Sequence, residues 1–497
     1  MIMRRLSAIL FAFVVMSSMA LAETVNITFL LTNDIDKFAG EETRGGVGRL
    51  NAIVKAERAK GHVVYVHAGD TISPSLLSGL DKGEHMIALF NMAPPDAFTP
   101  GNHEYDFGPE IFLKRMSEAK FPLLAANLRD ASGKLIPGFS DTTMIERGGV
   151  KIGIVGLTND ESHVVSSPGD LKIANATETG ITAAKQLRDG GADLVVALTH
   201  SGRFEDNEML ASHAFDLILS GHDQDLLAQY DGRTAMAESY EQADYVIAID
   251  LTVDVEDKDG KRTVAWHPNF RIIDTATVTS DPETQAKIDE LNAELGKELA
   301  VAIGSTATPL DSRRATVRTG EAAIGNLIAD AARAAVGADI AITNGGGIRG
   351  NKEYPAGSKL TRGDVLTELP FGNKNVKVEI TGQAVQAALE NGVSQVEKVA
   401  GRFPQVSGLA FTYDPAKPPG QRVTAVTIAG APLDPAKTYT LATNDYMLGG
   451  GDGYTAFKDA KIILNARDAK LLANDVMVYV REKGEIAPKL EGRITVK

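Results

Sequence analysis

The sequence predicts an α/β protein built as two bodies joined by a helix. Three observations carry this. From Glu23 to about Ile273, short apolar runs rich in β-branched residues alternate with amphipathic stretches, the pattern of strands covered by helices. The runs fall at residues 26–31, 63–67, 151–157, 193–199 and 215–220. The segment 281–300 then reads as one helix. Asp281 suits the N-cap, Pro282 suits the first helical position, and Ile288, Leu291, Leu295 and Leu299 share a face. A second α/β body with its own Gly-rich loops follows. The expected divisions are 23–275, a connector over 276–304, and 305–497.

The first 22 residues stand apart from both bodies. Arg4 and Arg5 precede an apolar run from Ala8 to Val15, and Ala20-Leu21-Ala22 has the form of a cleavage site. This is the pattern of a cleaved signal peptide, with cleavage after Ala22. The run is too short to span a bilayer comfortably. There is no cysteine in the 497 residues, so neither a lipidated cysteine nor a disulfide is available. The expected location is periplasmic or secreted. Removing the leader takes away Arg4 and Arg5 and no acidic residue, so the net charge falls from −14 to −16. Such a surface disfavours nucleic-acid polymers, which need a basic footprint. It leaves small anions open, because a local site can override the mean field. No membrane anchor and no protein partner is indicated.

Polar clusters recur just past the predicted strand ends. They are Thr32-Asn33-Asp34-Ile35-Asp36, Gly69-Asp70, Gly101-Asn102-His103-Glu104-Tyr105-Asp106, Thr199-His200-Ser201-Gly202 and Ser220-Gly221-His222-Asp223-Gln224. Ligands of open α/β sheets bind beyond the carboxyl ends of the strands. Taken singly, each cluster is weak: Gly-Asp is a common turn, and a lone His200 reads equally as a core histidine. Five in series collect carboxylate, amide and imidazole donors, which suit a pair of Zn, Mn or Fe(II) ions. Two such cations can share a carboxylate, clamp a phosphoryl group and activate water. His62, His67, His85, His163, His213 and His267 lack this setting and read as structural.

The C-terminal body carries a separate signal. Asn344-Gly345-Gly346-Gly347-Ile348-Arg349 follows an apolar run, and its glycines allow backbone amides to approach an anion that the arginine can pair. Pro370-Phe371-Gly372-Asn373 and the segment from Tyr446 to Gly453 add two aromatic rings on separate loops. Two such rings can sandwich a base, at ~1–3 kcal/mol of stacking each. Either ring alone is equally a core residue.

These residues resemble the calcineurin-like metallophosphoesterase superfamily. More closely, the chain resembles the bacterial periplasmic 5'-nucleotidase / UDP-sugar hydrolase family, whose animal relatives are ecto-5'-nucleotidases. The resemblance runs over essentially the whole mature chain, and Gly-Asn-His-Glu-Tyr-Asp-Phe-Gly at 101–108 is its most specific motif. It implies a four-layer α/β/β/α sandwich joined by the helix to a C-terminal α/β nucleotide-binding domain. It implies two divalent metal ions, with Asp70 bridging, Asp34 and Gln224 on the first, and Asn102, His200 and His222 on the second. His103 and Asp106 match the catalytic dyad, with His103 alternatively a mere support for the ligands. In the C-terminal domain Phe371 and Tyr446 match the base clamp, Asp452 the ribose contact and Asn373 the base-edge contact. Arg318, Asn344 and Arg349 match the polar anchor, and Gly401 is a weaker match.

One position departs from the family, which has Asp-x-His where this chain has Asp34-Ile35-Asp36. Either Asp36 replaces the imidazole, hardening the site toward Mn, Mg or Ca over Zn, or it points away and the first metal loses a ligand. The implied reaction is hydrolysis of nucleoside 5'-phosphates by a metal-bound hydroxide, in a role such as nucleotide salvage, with rotation of the two domains at the connector. Alternatives are a 2',3'-cyclic-nucleotide phosphodiesterase, a UDP-sugar hydrolase, or a nucleotide-binding protein with weakened catalysis. A thiosulfate-linked hydrolase on the same scaffold leaves the nucleoside clamp unexplained.

Overall fold

A computed structural model describes residues 23–497 except 41–42, 76 and 259–260. The expected leader, residues 1–22, lies outside the described residues. In the N-terminal half the apolar runs form two sheets. One has seven strands in the spatial order Lys261–Asp274, Tyr245–Lys258, Glu23–Thr32, His62–His67, Ala97–Phe98, Leu123–Leu124 and Phe139–Ser140. The other has six, in the order Leu226–Tyr230, Ala235–Ser239, Leu217–Ser220, Leu194–Thr199, Val150–Leu157 and Thr142–Arg147.

The sheets pack face to face through Phe29, Leu31, Val64 and Val66 against Ile152, Ile154, Val196 and Leu198. The outer face of the seven-stranded sheet is covered by helices that include Val47–Arg58, and that of the six-stranded sheet by Ala176–Asp189 and Arg203–Ser212. Central strands are therefore buried on both faces, which is why they read as unbroken apolar runs rather than alternating ones. The layers are helix, sheet, sheet, helix. Glu23–Thr32 runs parallel to His62–His67, and Leu194–Thr199 parallel to Val150–Leu157 and Leu217–Ser220. Parallel neighbours release their following loops at the same edge, and the polar clusters are those loops.

The connector helix spans Pro282–Leu299. The Asp281 carboxylate caps it, accepting from the Thr284 amide at 3.0 Å, and pairs with Lys55 at 2.8 Å. The helix is not free-standing. Ile288 and Leu291 are buried in the same core as Leu50 and Ile53, so its first turns belong to the N-terminal body. Its last turn reaches the other half, where Glu298 pairs with Arg362.

The C-terminal half centres on a five-stranded sheet in the order Pro404–Ser407, Ile340–Asn344, Thr438–Asn444, Asn375–Thr381 and Lys461–Leu464. Helix Ala323–Val336 covers one core with Ile324, Leu327 and Ile328, and Gly382–Val393 closes another with Val385 and Leu389. Ile340–Asn344 and Thr438–Asn444 are parallel neighbours. The Gly-rich loop after Asn344 and the Tyr446 segment after Asn444 therefore leave the sheet at one end. Among the described residues, no helix is long and apolar enough to cross a membrane.

Because Leu291 is buried against the N-terminal core, Leu291→Ala should destabilise that body by ~2–5 kcal/mol. Asp281→Ala, which removes only the cap, should cost about 1 kcal/mol. Calorimetry of the full chain checks both. Equal small effects would mean that the helix is not docked.

Candidate active site

The five strand-end loops converge. Asn33 staples the first of them: its side-chain oxygen accepts from the Ser239 amide at 2.8 Å and its nitrogen donates to Asp34 at 2.8 Å. The Asp34 carboxylate also accepts from the His222 amide at 3.0 Å and from the Gln224 side chain at 3.3 Å. Asp70 accepts from the His103 amide at 2.8 Å, and its other oxygen lies 3.1 Å from His200 Nε2. His200 Nδ1 donates to the Ala68 carbonyl at 2.6 Å, which aims Nε2 at the cluster. One ligand atom from each of Asp70, His200 and His222 lies within 4.8 Å of the others.

Such convergence strains the backbone. Asp34, Asp70, His222 and Gln224 all adopt positive φ, at 52°, 57°, 91° and 57°. Each such residue costs of order 1–3 kcal/mol and persists only where its surroundings hold it. Glu104 does part of the holding. Its buried carboxylate accepts from the amides of Asp70 at 2.9 Å, Thr71 at 2.6 Å and Gly101 at 2.6 Å, tying the second loop to the third. Gly101 is required by that crossing, since a Cβ there would sit 2.2 Å from Asp70 Oδ1 and 2.6 Å from His200 Cε1.

The electrostatics favour a cation. Burial opposes charge on Asp70, but His200 and His103 outweigh it and hold the carboxyl well below the usual range. Burial pushes Asp34 up to about 6. It pulls His222 down to about 3, so that imidazole is neutral and its lone pair is available. Asn102 Oδ1 is buried without a hydrogen-bond partner among the described residues. An unmet buried acceptor costs ~1–3 kcal/mol, and a ligated cation would remove that cost. Oxygen, amide and imidazole donors thus fit a divalent ion.

Beside this cluster, His103 Nδ1 donates to Asp106 at 2.8 Å. Asp106 is fixed in turn by the hydroxyls of Ser73 and Ser166, each at 2.8 Å. His103 Nε2 donates to the Arg467 carbonyl. Both ring nitrogens thus face acceptors. Burial opposes the imidazolium, but Asp106 and Asp70 outweigh it and push His103 up to about 10.

Asp36 is buried. One of its oxygens accepts from the Gln242 amide, whose oxygen in turn accepts from the Asp36 and Lys37 backbone. It lines an interdomain cavity of about 550 Å³ that also touches Gln224, Phe371, Lys374 and Arg467.

The C-terminal residues form a second group. Asn344 donates to Asp452 at 2.8 Å, Tyr446 Oη lies 3.4 Å from the same carboxylate, and the Gly346 amide donates to the Gly401 carbonyl at 2.7 Å. The Arg349 guanidinium lies 4.7 Å from the centre of the Phe371 ring. Asn373 shares a small cleft with Phe371 and Asn444. Arg318 Nε is buried with no partner among the described residues. Phe371 is 55% exposed and Tyr446 49%, so neither ring is a core residue. Among the described residues, no hydrogen bond or ion pair joins this group to the metal-type cluster.

The amino-acid sequence does not single out Glu104, Ser73, Ser166 or Asp468. Glu104 lies inside the 101–108 motif, but its partners are backbone amides, which carry no sequence signature. The two serines and Asp468 sit in no motif.

Gly101→Ala should weaken Mn²⁺ binding by ~10-fold or more, since it displaces Asp70 and His200 together. Isothermal titration reads this, with circular dichroism to confirm the fold. Unchanged affinity would contradict the loop crossing.

Two family models match the chain: calcineurin-like phosphoesterase over residues 27–225, and 5'-nucleotidase, C-terminal domain, over residues 302–459. The trifunctional nucleotide phosphoesterase protein YfkN of Bacillus subtilis (strain 168) is 30% identical over 94% of this chain and 35% of that protein, so the chain spans about a third of its length. A solved 5'-nucleotidase precursor from Thermus thermophilus is 29% identical, covering 95% of this chain and 99% of that one at a TM-score of 0.55. The NAD nucleotidase structure from Haemophilus influenzae shares the fold at 22% identity, over 96% of this chain and 99% of that one, with a TM-score of 0.80. The chain belongs to the family that joins a calcineurin-like phosphoesterase domain to a 5'-nucleotidase C-terminal domain.

Proposed function

We propose that the protein hydrolyses nucleoside 5'-phosphates to nucleoside and phosphate, outside the cytoplasm, in the manner of a nucleotide-salvage enzyme. The observation that carries the reading is the cavity of about 550 Å³ with Asp36 and Gln224 on one wall and Phe371 on the other. That volume suits a nucleotide. It touches Gln224, which donates to Asp34 beside the metal-type cluster, where a phosphate would bind, and it reaches an exposed aromatic ring, where a base would stack.

In this reading two divalent cations would be held by Asp70 in common, one also by Asp34 and Gln224 and the other by Asn102, His200 and His222. When bound, the cations supply positive charge to the phosphoryl group and make a water nucleophilic. The chain's own residues do the rest. His103, a donor at both nitrogens, points Nε2 at the place where charge develops on a phosphoryl oxygen. Asp106 keeps the ring oriented and charged, and Ser73 and Ser166 keep Asp106 in place. Water oxygen bonds to phosphorus, the ester oxygen leaves, and the water's proton passes to solvent or to the leaving oxygen. Phe371 and Tyr446 hold the base, Asp452 the ribose hydroxyls and Asn373 the base edge. Arg318, Asn344 and Arg349 anchor the remaining polar groups, with Gly401 leaving room beside Asp452.

Asp36 bears on the first metal. With one oxygen held by Gln242, it offers at most the other, and the first site is then rich in oxygen donors. Such a site favours Mn or Mg over Zn.

Phosphate release from AMP in Mn²⁺ tests the assignment. His103→Ala should lower kcat by ~10²–10⁴-fold with KM little changed. Phe371→Ala should raise KM, a loss of ~1–3 kcal/mol of stacking. Loss of kcat alone in Phe371→Ala, or no loss in His103→Ala, contradicts it. Asp36→His should raise Zn-supported activity relative to Mn. If the ratio is unchanged, Asp36 does not touch the metal.

A further inference from the structure

Strand Lys461–Leu464 of the C-terminal half runs into a turn, residues 465–470, that enters the N-terminal site. The Arg467 guanidinium pairs with Asp223, between His222 and Gln224 in sequence. The Arg467 carbonyl accepts from His103 Nε2. Asp468 is 2% exposed; one oxygen accepts from Asn102 Nδ2 at 3.2 Å and lies 3.8 Å from His222 Nδ1. Its other oxygen is buried with no hydrogen-bond partner among the described residues. Lys470 Nζ donates to the Asp106 carbonyl at 2.7 Å.

Two of these groups meet ones that the reading above gives to metal or phosphoryl. A carbonyl oxygen takes the hydrogen bond that His103 would give a phosphoryl oxygen. A carboxylate lies against Asn102 and His222, two proposed ligands of one cation. Packing alone would not select a carboxylate here. Burying a further acid beside Asp70 costs several kcal/mol unless a cation compensates, and the unpartnered Asp468 oxygen has the donor chemistry to bind one.

We propose that Asp468 is a metal ligand supplied by the C-terminal half in a resting conformation. In that conformation residues 465–470 stand in for the phosphoryl group of the substrate, which must displace them. The proposal rests on the metal-centre reading. It makes substrate entry and release of this turn one event. The apparent affinity for any phosphate is then reduced by the fraction of molecules with the turn withdrawn.

The test uses the full chain, stripped of metal and titrated with Mn²⁺ alone, then Mn-loaded and titrated with inorganic phosphate. Asp468→Asn should bind Mn²⁺ about tenfold more weakly and, once loaded, bind phosphate about tenfold more tightly. Arg467→Ala keeps the carboxylate but frees the turn. It should tighten phosphate while moving Mn²⁺ affinity less, and it decides the matter should Asp468→Asn fail to fold. Wild-type affinities for both titrants in Asp468→Asn, or wild-type phosphate affinity in Arg467→Ala, would overturn the proposal. A His222→Ala control separates the two levels. If it leaves Mn²⁺ binding intact, the metal-centre reading itself fails. If it abolishes Mn²⁺ binding while the other two variants behave as wild type, only the role of the turn fails.

Discussion

Asp70 is the point on which the site is built. Its carboxylate is buried, and a buried ion is tolerated only where charge and hydrogen bonds answer it. Here the His103 amide, the His200 ring and the field of the surrounding imidazoles provide that answer. The geometry follows from topology. Parallel strands deliver their loops to one edge, and Gly101 lets two loops cross at a distance that no side chain would permit. The four positive-φ residues at the cluster record the strain of holding donors in that crossing. Two face-to-face sheets with covered outer faces form a frame stiff enough to bear it.

In the proposed reading the second half contributes recognition. Its polar and aromatic residues lie on loops at one end of a separate sheet, and its two rings remain exposed. Neither half completes a nucleotide site alone. The cavity between them has walls from both, and the connector helix is docked on one body while its last turn pairs with the other. In the present conformation the half that would carry the base also sends Arg467 and Asp468 to the metal-type cluster. Under the proposal above, substrate binding and withdrawal of this turn involve the same atoms.

Much of this is legible in the amino-acid sequence. Runs such as 151–157 and 193–199 read as buried strands because both faces are apolar, and the strands at Val150–Leu157 and Leu194–Thr199 follow them. The strand-end clusters can be read as one site because parallel strands share an edge. The connector is readable from Asp281-Pro282 and its apolar stripe, but its docking is not, since a stripe does not say which body it meets. Glu104 is hidden because its partners are backbone amides, which carry no sequence signature. Asp36 is recognisable as a departure, yet its turn toward Gln242 depends on a residue 206 positions away. Asp468 is the extreme case. It meets Asn102 across 366 residues, from a turn without glycine, histidine or motif.

The account's central claim is that phosphoester hydrolysis depends on divalent cations held at Asp70. Phosphate release from AMP by metal-stripped protein, before and after adding Mn²⁺, tests it most directly. The account predicts no release from stripped protein and restored release on adding Mn²⁺. Full release without any divalent metal, or none with Mn²⁺, Mg²⁺, Ca²⁺ or Zn²⁺, would contradict it.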